Sequence, residues 1–301
     1  MAGLHSDKLE RIMSLSVRDV PVSYDRLRSA LYAVSIGLGG NPIAGGLQYT
    51  FEGAEGFTAF PTQVCVIARP QLLGGDLVDR ARLLHGEQRV RLFRPLPGEA
   101  RMLMDARIRG VVDKGAGKGA LVYIETVLRE ENSSDPLAAL LSTIFLRGDG
   151  GLGSSAEMLE PVQLPQDAPD IEFDLQTRVD DALLYRLNGD LNPLHADPAF
   201  AVRAGFERPI LHGLLSYGRV SAELAARILD YDAATIRQVE ARFRAPLFPG
   251  DVIRVEAWVR DDQIMFRAKR GASGPIVLEA GRILLGLPGS ISIESPWGDD
   301  R

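Results

Sequence analysis

The chain has 301 residues, of which 46% are hydrophobic and 25% charged, a balance typical of globular proteins with a substantial core. Forty acidic against 34 basic residues give a formal net charge of −6, and no basic block occurs, so we expect no nucleic-acid partner. The single cysteine, Cys65, excludes an internal disulfide framework, and the four scattered histidines do not form a zinc-type spacing with it.

The two ends of the sequence bear on the compartment. The first residues, M-A-G-L-H-S-D-K-L-E-R, contain no apolar signal core, and no run of about 20 apolar residues occurs that would span a bilayer. The last residues, S-P-W-G-D-D-R, differ from a peroxisomal S-K-L address. We therefore expect a cytoplasmic protein that does not associate with a membrane.

Residues 24–38 show the spacing of an amphipathic helix, which the G-G-N-P sequence at 39–42 is expected to end. The predicted apolar stripe consists of Leu27, Leu31, Val34 and Leu38. Residues 47–51 are predicted to form a short strand. A second helical segment is predicted to start at Phe60 and to run through Ile67.

β-rich runs follow, separated by P-L-P-G-E and by D-K-G-A-G-K, both of which are turn sequences. The predicted strands of this half are 83–93, 100–112, 119–129 and 137–146. Residues 151–169 are rich in glycine and proline and lack hydrophobic periodicity, which is typical of a linker. We therefore predict a first domain of residues 1–150 and a second of residues 170–301.

The second half repeats the order of the first. A long apolar helix is predicted over 212–229, with glycine, serine and alanine positions that permit a sheet to approach closely. The predicted strands after it are 236–244, 251–260, 263–269 and 276–286. The Pro-Gly turn at Pro97 recurs at Pro249, an offset of 152 residues. A long helix followed by antiparallel strands, twice, predicts an α+β fold in which each sheet wraps its helix.

Candidate catalytic groups lie in residues 187–216. Asp190 and His195 are five positions apart with glycine and proline turns around them, so a carboxylate and an imidazole can converge for acid/base chemistry. Asn192 stands before a proline, where it either supports this site or caps a helix. A helix that opens at Gly213 offers N–H groups without intrahelical partners, which can hold a developing oxyanion.

Other polar residues of the two halves are interpreted as structural. Asp197 precedes Pro198 in the pattern of a helix cap, with Gly205 as the end of that short helix. His212 is interpreted as structural because its side chain need not face a pocket that the next residue's backbone lines. His85 lies in a β-like run of the half that lacks the Asp and His pair, and it is interpreted as non-catalytic.

Two motifs resemble a known family. The run Y-R-L-N-G-D-L-N-P-L-H-A-D at 185–197, followed by I-L-H-G-L-L-S-Y-G at 210–218, resembles the signature of the MaoC-like dehydratases, specifically the (R)-specific enoyl-CoA hydratase 2 group. The first half is similar to the N-terminal domain of the long members, at Y-T-F-E-G-A-E-G-F-T-A-F-P-T and L-L-H-G-E-Q. Asn188 departs from the small residue common in the family before the Gly-Asp pair, and we expect it to tune the loop.

The resemblance implies a double hot dog fold, in which each repeat is an antiparallel sheet around a long central helix. It also implies that the second repeat keeps the catalytic residues, whereas the first has lost them and widens the acyl pocket. The implied reaction is reversible syn hydration of a trans-2-enoyl-CoA to the (3R)-hydroxyacyl-CoA, on medium, long or bulky acyl chains.

In this reaction Asp190 and His195 would hold one water. The carboxylate is favoured as the base and the imidazole as orienter and proton donor, although the sequence does not fix the division between them. The Gly213 N–H would bind the thioester oxygen, and Asn192 would support the water or the loop. Coenzyme A is part of the substrate, so we expect no separate cofactor and no metal. The resemblance also implies a homodimer.

Two other classes of function use the same fold. A hot dog acyl-CoA thioesterase would hydrolyse the acyl group at the same thioester site, but the register of Asp190 and His195 favours hydration. A non-catalytic acyl-thioester binding protein is the second, and the presence of both candidate catalytic side chains argues against it.

Overall fold

The computed structural model describes residues 2–40, 45–78, 82–287 and 297, and the side chains from residue 7 onward. The α-helices are α1 Ala2–Met13, α2 Arg26–Ser35, α3 Leu47–Thr50, α4 Val64–Ile67, α5 Asp181–Tyr185, α6 Pro198–Arg203 and α7 Gly213–Ile228. The strands are β1 Ser16–Tyr24, β2 Leu83–Leu92, β3 Ala100–Asp113, β4 Ala120–Glu130, β5 Pro136–Leu146, β6 Ile171–Gln176, β7 Ile236–Phe243, β8 Val252–Arg260, β9 Gln263–Arg270 and β10 Ile276–Leu285. Short 3-10 turns occupy Pro61–Gln63, Arg186–Asn188, Pro193–His195 and Ala233–Thr235.

All ten strands form one antiparallel sheet in the order β1-β3-β4-β5-β2-β7-β10-β9-β8-β6. Read outward from its centre, each half has the same order, because β2, β5, β4, β3 and β1 correspond to β7, β10, β9, β8 and β6. The halves join where β2 pairs with β7, with Val90 opposite Val239. The two Pro-Gly turns lie at equivalent places, before β3 and before β8. The predicted α+β class and the internal duplication are therefore confirmed.

The second repeat wraps its sheet around α7, as predicted. The helix buries Leu215, Val220 and Leu224 completely against the core. Its small residues also serve a contact that was not predicted, because a Cβ at Gly218 would lie 2.8 Å from Ile36, the residue that follows α2. The close approach at this position is therefore to the end of a helix of the first repeat.

Among the residues of the first repeat that the structure describes there is no long central helix, so this part of the expectation is wrong. Its counterpart is the turn Pro61–Gln63 followed by the single turn of α4. The helix ends there because Ala68 leaves the helical region at φ −87° and ψ 77°, and because the residue before Pro70 disfavours helical backbone. The inner face of this half of the sheet is covered instead by α1 and by the segment after α4, which pack around the fully buried Ile12.

The predicted stripe on residues 24–38 is only partly correct, because Leu38 is buried whereas Leu27 and Val34 are exposed. The helix begins at Arg26, after Asp25, whose carboxylate accepts the Arg28 N–H at 2.8 Å as an N-cap. Leu27 is 64% exposed, whereas Tyr32 is buried and donates a hydrogen bond to Thr62 Oγ1 at 2.8 Å. The buried face of α2 therefore consists of Ser29, Tyr32, Ala33 and Ser35, small and polar-tipped residues that a count of leucines could not reveal.

Residues 47–51 were predicted as a strand, but the structure contains α3 there. Gly46 has φ +83°, a left-handed conformation that turns the chain into the helix. Tyr49 of α3 is buried, and its hydroxyl donates to Tyr231 O at 2.8 Å and accepts from Ala233 N–H at 3.1 Å. These hydrogen bonds therefore connect α3 of the first repeat to the segment that follows α7 in the second repeat.

The segment 151–169 contains no helix or strand. It crosses the outer face of the sheet, where its carbonyl groups accept hydrogen bonds from Arg89, Arg242 and Trp258. Its role as a boundary between independent domains stays a prediction. Among the residues described, no helix combines the length and apolar character that crossing a membrane requires.

Candidate active site

A sharp turn brings Asp190 out of the core. The 3-10 turn Arg186–Asn188 follows α5, and Gly189 then takes φ +108°, in the left-handed region that favours glycine. The buried Asn188 anchors this turn, because its amide nitrogen donates to Ser35 Oγ of α2 at 2.9 Å. Asn188 therefore connects the loop to the first repeat through this hydrogen bond.

The next turn places the imidazole of His195. Asn192 Oδ1 accepts the Leu194 N–H at 3.1 Å, so Asn192 caps the 3-10 turn Pro193–His195 and supports the loop. His195 Nδ1 lies 2.9 Å from Ile210 O. A carbonyl oxygen only accepts hydrogen bonds, so Nδ1 carries the proton of the neutral ring and Nε2 keeps its lone pair.

The side chain of His212, which was interpreted as structural, lies beside His195 and lines the same cavity. Its ring stacks on that of His195, with centroids 3.7 Å apart and planes inclined by 25°. Its Nε2 lies 3.3 Å from the backbone oxygen of Asp190, to which it donates a hydrogen bond. His212 therefore braces both the catalytic-loop backbone and the imidazole of His195.

Gly213 is the first residue of α7, with His212 as its N-cap residue. Its N–H has no intrahelical acceptor and bonds to no other described residue. A side chain here would crowd the sheet, since a Cβ would lie 3.0 Å from the ring of Phe243. Glycine thus permits close packing of the helix end, and the residue itself is exposed and lines the cavity described below.

Two site residues come from the first repeat, and the sequence did not point to one of them. Arg69 Nη2 lies 3.2 Å from Asp190 Oδ1, in an ion pair between the repeats. His85 of β2 lines the same space, with Nε2 3.1 Å from Glu87 O and its ring against Phe243 at 5.0 Å. These contacts do not test the prediction that His85 is non-catalytic. No sequence signal marks Arg69, because its partner is 121 positions away.

Charge and burial shift the pKa of Asp190 in opposite directions. Burial raises the pKa of its carboxyl, but the Arg69 guanidinium and then the imidazoles of His212 and His195 lower that pKa more. The net direction is downward, so Asp190 is a carboxylate at neutral pH.

The histidines are neutral at pH 7 because burial is the largest influence on the pKa of each one. Burial lowers the pKa of His195 below its usual range, and it lowers the pKa of His212 to about 3 and that of His85 to about 4. Desolvation disfavours the imidazolium form in each case. The site at neutral pH therefore contains one carboxylate and neutral rings.

Two cavities meet at Asp190. One, of about 260 Å³, extends into the first repeat, and the other, of about 280 Å³, extends along the start of α7 in the second. Leu83, Leu84, His85, Asp190 and Leu214 line both. The second cavity also reaches His195, His212 and Gly213. The carboxylate therefore lies at the junction of a two-armed space.

Asp190, His195 and His212 also offer ligand atoms that all lie within 4.8 Å of one another. Such a trio can hold a divalent cation, since neutral imidazoles and carboxylates are common metal ligands. The prediction that no metal is needed stays a prediction.

The capping role of Asp197 is as predicted. Its carboxylate accepts the Ala199 N–H at 2.8 Å and opens α6 with Pro198 at the first helical position. Gly205, at φ +90°, follows the end of α6. The Asp197 carboxylate is therefore hydrogen-bonded to the first turn of α6.

In chemical terms, the site presents two hydrogen-bond acceptors to one small volume, the Asp190 carboxylate and the His195 Nε2 lone pair. The unpaired Gly213 N–H lies at the same cavity. A water between the two acceptors can lose a proton while the N–H group stabilises negative charge on a carbonyl oxygen.

Comparison with known proteins agrees with this arrangement. The family described as MFE-2 hydratase 2 N-terminal domain matches residues 22–148, and the family described as MaoC like domain matches residues 161–280. A probable enoyl-CoA hydratase 2 from Dictyostelium discoideum is 34% identical over 284 residues, which cover 91% of this chain and 95% of that protein.

Solved structures give the same result. The MaoC-like dehydratase of Phytophthora capsici superposes with a TM-score of 0.81 at 29% identity, covering 94% of this chain and 99% of that one. The peroxisomal multifunctional enzyme type 2 of Drosophila melanogaster gives 0.80 at 30% identity, covering 90% of this chain and 48% of that one.

For the fold alone, a Mycobacterium tuberculosis protein described as a double hotdog fold gives a TM-score of 0.53 at 16% identity, covering 90% of this chain and 95% of that one. The predicted double hot dog fold is therefore confirmed, apart from the long helix of the first repeat. With both family matches in tandem and a full-length relative at 34% identity, this chain belongs to the MaoC-like dehydratases, as a two-domain member of the hydratase 2 type.

Proposed function

We propose that the protein is an (R)-specific enoyl-CoA hydratase, a hydro-lyase that interconverts trans-2-enoyl-CoA and (3R)-hydroxyacyl-CoA. One observation carries this proposal: Asp190, His195 and Gly213 all line one cavity, and Asp190 lies where that cavity meets a second one. Each group corresponds to a requirement of hydration: two acceptors grip a water, and one donor binds the thioester oxygen. The family membership supports the same reaction.

Water is activated by the acceptor pair. It donates one hydrogen bond to the Asp190 carboxylate and one to His195 Nε2. The sequence interpretation made the carboxylate the base, but the protonated Nδ1 of His195 and the lowered pKa of Asp190 favour the reverse division. His195 Nε2 takes the proton, because Nδ1 already donates to Ile210 O and Nε2 keeps the lone pair of the neutral ring. Asp190 orients the water.

The rest of the reaction uses the same side of the substrate. The water oxygen bonds to the β-carbon, and the electrons of the double bond shift toward the thioester oxygen, where the Gly213 N–H stabilises the charge. His195 then returns its proton to the α-carbon, so that one O–H bond breaks and one C–O and one C–H bond form. Addition from one face gives syn geometry. Asn192 maintains the loop through its cap.

A medium, long or bulky acyl chain is the proposed substrate. The short α4 leaves a cavity of about 260 Å³ in the first repeat, and Ile124, Ile144 and Leu73 contribute apolar walls to it. An acyl chain that starts at Asp190 has this space available. Similar kcat/KM values for crotonyl-CoA and much longer enoyl-CoAs would contradict the proposal about chain length.

Further parts of the proposal concern the setting. The reaction balances without a separate cofactor or metal, so activity is expected to survive a chelator such as EDTA. A homodimer is proposed from the family, with light scattering of the purified chain as its test. Cytoplasmic location is proposed as well, and imaging of a fluorescent fusion would test it against a peroxisomal or other compartment.

The central experiment follows the loss of enoyl-thioester absorbance with trans-2-enoyl-CoAs of several lengths. The product is coupled separately to (R)-specific and (S)-specific 3-hydroxyacyl-CoA dehydrogenases, with wild type, Asp190→Asn and His195→Gln. Signal through the (R) enzyme alone, reduced to a small residual rate in both variants, is expected. Release of free thiol without hydration would indicate a thioesterase, and ligand binding without either reaction would indicate a binding protein.

A further inference from the structure

The ion pair between Arg69 and Asp190 joins the repeat without the catalytic pair to the repeat that has it. Arg69 Nη2 lies 3.2 Å from Asp190 Oδ1, and the Asp190 side chain is only 17% exposed. Asn192 N–H approaches the same oxygen at 3.4 Å. Both contacts engage Oδ1, which leaves Oδ2 without a protein partner among the described residues.

The backbone after α4 explains how Arg69 reaches the site. The helix ends at Ile67, and Ala68 turns the chain away from the helix axis before Pro70. A helix that continued through this position would carry the side chain elsewhere on its surface. The loss of a long helix in the first repeat therefore does more than open a cavity, because it also delivers a cation to the catalytic loop.

We propose that Arg69 is a positioning residue for hydration: it pairs with Asp190 Oδ1 so that the carboxylate presents Oδ2 to the attacking water. This inference rests on the proposed function. The guanidinium and the carboxylate form a partly buried pair, in which the geometry of both groups is restricted. Nη1 of Arg69 is buried and bonds to no other described group, so Asp190 is its main polar contact.

Arg69 is the permanent positive charge in this environment. The other groups that interact electrostatically with Asp190 are His195 from the catalytic loop, His212 at the start of α7, His85 from β2 and Tyr185 from α5. Burial lowers the pKa of each of these histidines and raises that of Tyr185, so all are neutral at pH 7. Among the groups named, only the guanidinium opposes the cost of burying the carboxylate at that pH.

The role predicts the direction of a pH effect. The charge of Arg69 lowers the pKa of Asp190 and also that of His195. The active form has an ionised carboxylate and a neutral imidazole. Loss of the guanidinium raises both pKa values, so the acidic limb of kcat/KM moves to higher pH.

The test compares wild type with Arg69→Met, Arg69→Lys, Asp190→Asn and the double variant Arg69→Met with Asp190→Asn. Hydration of one enoyl-CoA is measured from pH 5 to pH 9, roughly the range over which histidine and neighbouring groups titrate. Arg69→Met is expected to lose about tenfold in kcat/KM at pH 7 and to shift its acidic limb upward, and Arg69→Lys to restore the limb. In the Asp190→Asn background, Arg69→Met is expected to have no further effect on kcat.

Arg11→Met is the matched control, since Arg11 is an exposed arginine of the first repeat that pairs with Asp76. Circular dichroism and thermal unfolding confirm that each variant is folded. If Arg69→Met raises KM but leaves the acidic limb of the pH profile of kcat/KM unchanged, the proposal is overturned and Arg69 is a substrate contact. Additive losses in the double variant would overturn it too. Failure of wild type to hydrate any enoyl-CoA would refute the proposed function instead, so the two failures are distinguishable.

Discussion

The imidazole rings of His195 and His212 stack at a centroid distance of 3.7 Å, but they bond to the backbone through different ring nitrogens, His195 through Nδ1 to Ile210 O. His212 directs Nε2 to the Asp190 backbone oxygen, and its Nδ1 is buried without a hydrogen-bond partner. The pair is therefore asymmetric. One ring performs the proposed proton transfer, and the other fixes its plane and the loop beside it.

This asymmetry separates two substitutions at His212. His212→Phe keeps a flat ring under His195 and is expected to lower kcat/KM only a few-fold, whereas His212→Ala removes the stacking surface and is expected to cost about a hundredfold, since small misplacements of catalytic groups are that costly. Steady-state kinetics of both variants, with thermal unfolding as the folding control, measure the difference. Equal losses would mean that the hydrogen bond to Asp190, not the stack, is the important contact.

The oxyanion donor can be tested although it is a backbone group. Gly213→Pro removes the N–H, and proline is tolerated at the first position of a helix. His212 has ψ 135°, a conformation compatible with a following proline. Gly213→Ala is the matched control, since both variants place a Cβ near Phe243 but only one loses the donor. The proline variant is expected to have a kcat roughly a hundredfold below that of the alanine variant. Similar kcat values would exclude this N–H as an oxyanion donor.

The site was predictable where it is local in sequence. Asp190, Asn192 and His195 are within one short loop, and glycine and proline set its turns, so their convergence follows from spacing. The helix from Gly213 was also predictable from its apolar run and small residues. In these cases the physical cause lies within a few residues of the effect.

Long-range contacts were not predictable in the same way. Arg69 meets Asp190 only because two repeats share one sheet, and the buried face of α2 consists of small and polar-tipped residues. The edge strands β1 and β6 and the first helix were not predicted. β1 is interrupted by a register shift between Val17 and Val20. β6 does alternate apolar and polar residues, but its six residues follow the glycine- and proline-rich segment directly and pair with β8 about 80 positions away. The strand predicted at 47–51 failed because a left-handed glycine and a buried tyrosine favour α3.

Acid should destabilise the protein partly through His85. Burial lowers its folded-state pKa to about 4, below the value near 6.5 in the unfolded chain. Between these values the unfolded chain binds more protons, so stability falls as pH falls from about 6.5 toward 4. The contribution lost by pH 5 is about 2 kcal/mol, since one pKa unit corresponds to about 1.4 kcal/mol. Urea unfolding from pH 7 to pH 5 is expected to show a steeper decline for wild type than for His85→Leu. Parallel declines would contradict a neutral, desolvated His85.

The junction of the repeats contains a buried charge on its outer face. Glu240 of β7 is 2% exposed, and its carboxylate pairs with Arg89 of β2 at 3.3 Å and with Arg282 of β10 at 2.5 Å. Gln238 also donates to it at 2.9 Å. This carboxylate therefore neutralises guanidinium groups on both neighbouring strands, one of them from the other repeat.

Removal of that charge should weaken the whole sheet. Glu240→Gln leaves Arg89 and Arg282 without their shared carboxylate and is expected to lower the free energy of unfolding by about 3 kcal/mol. Glu223→Gln is the control, because Glu223 pairs with Arg227 one helical turn away on the exposed side of α7. That pair contributes about 0.5 kcal/mol or less. Urea denaturation at pH 7 measures both. A loss at Glu240 as small as that at Glu223 would show that the junction is held by its backbone ladder and apolar core, with the charge network contributing little.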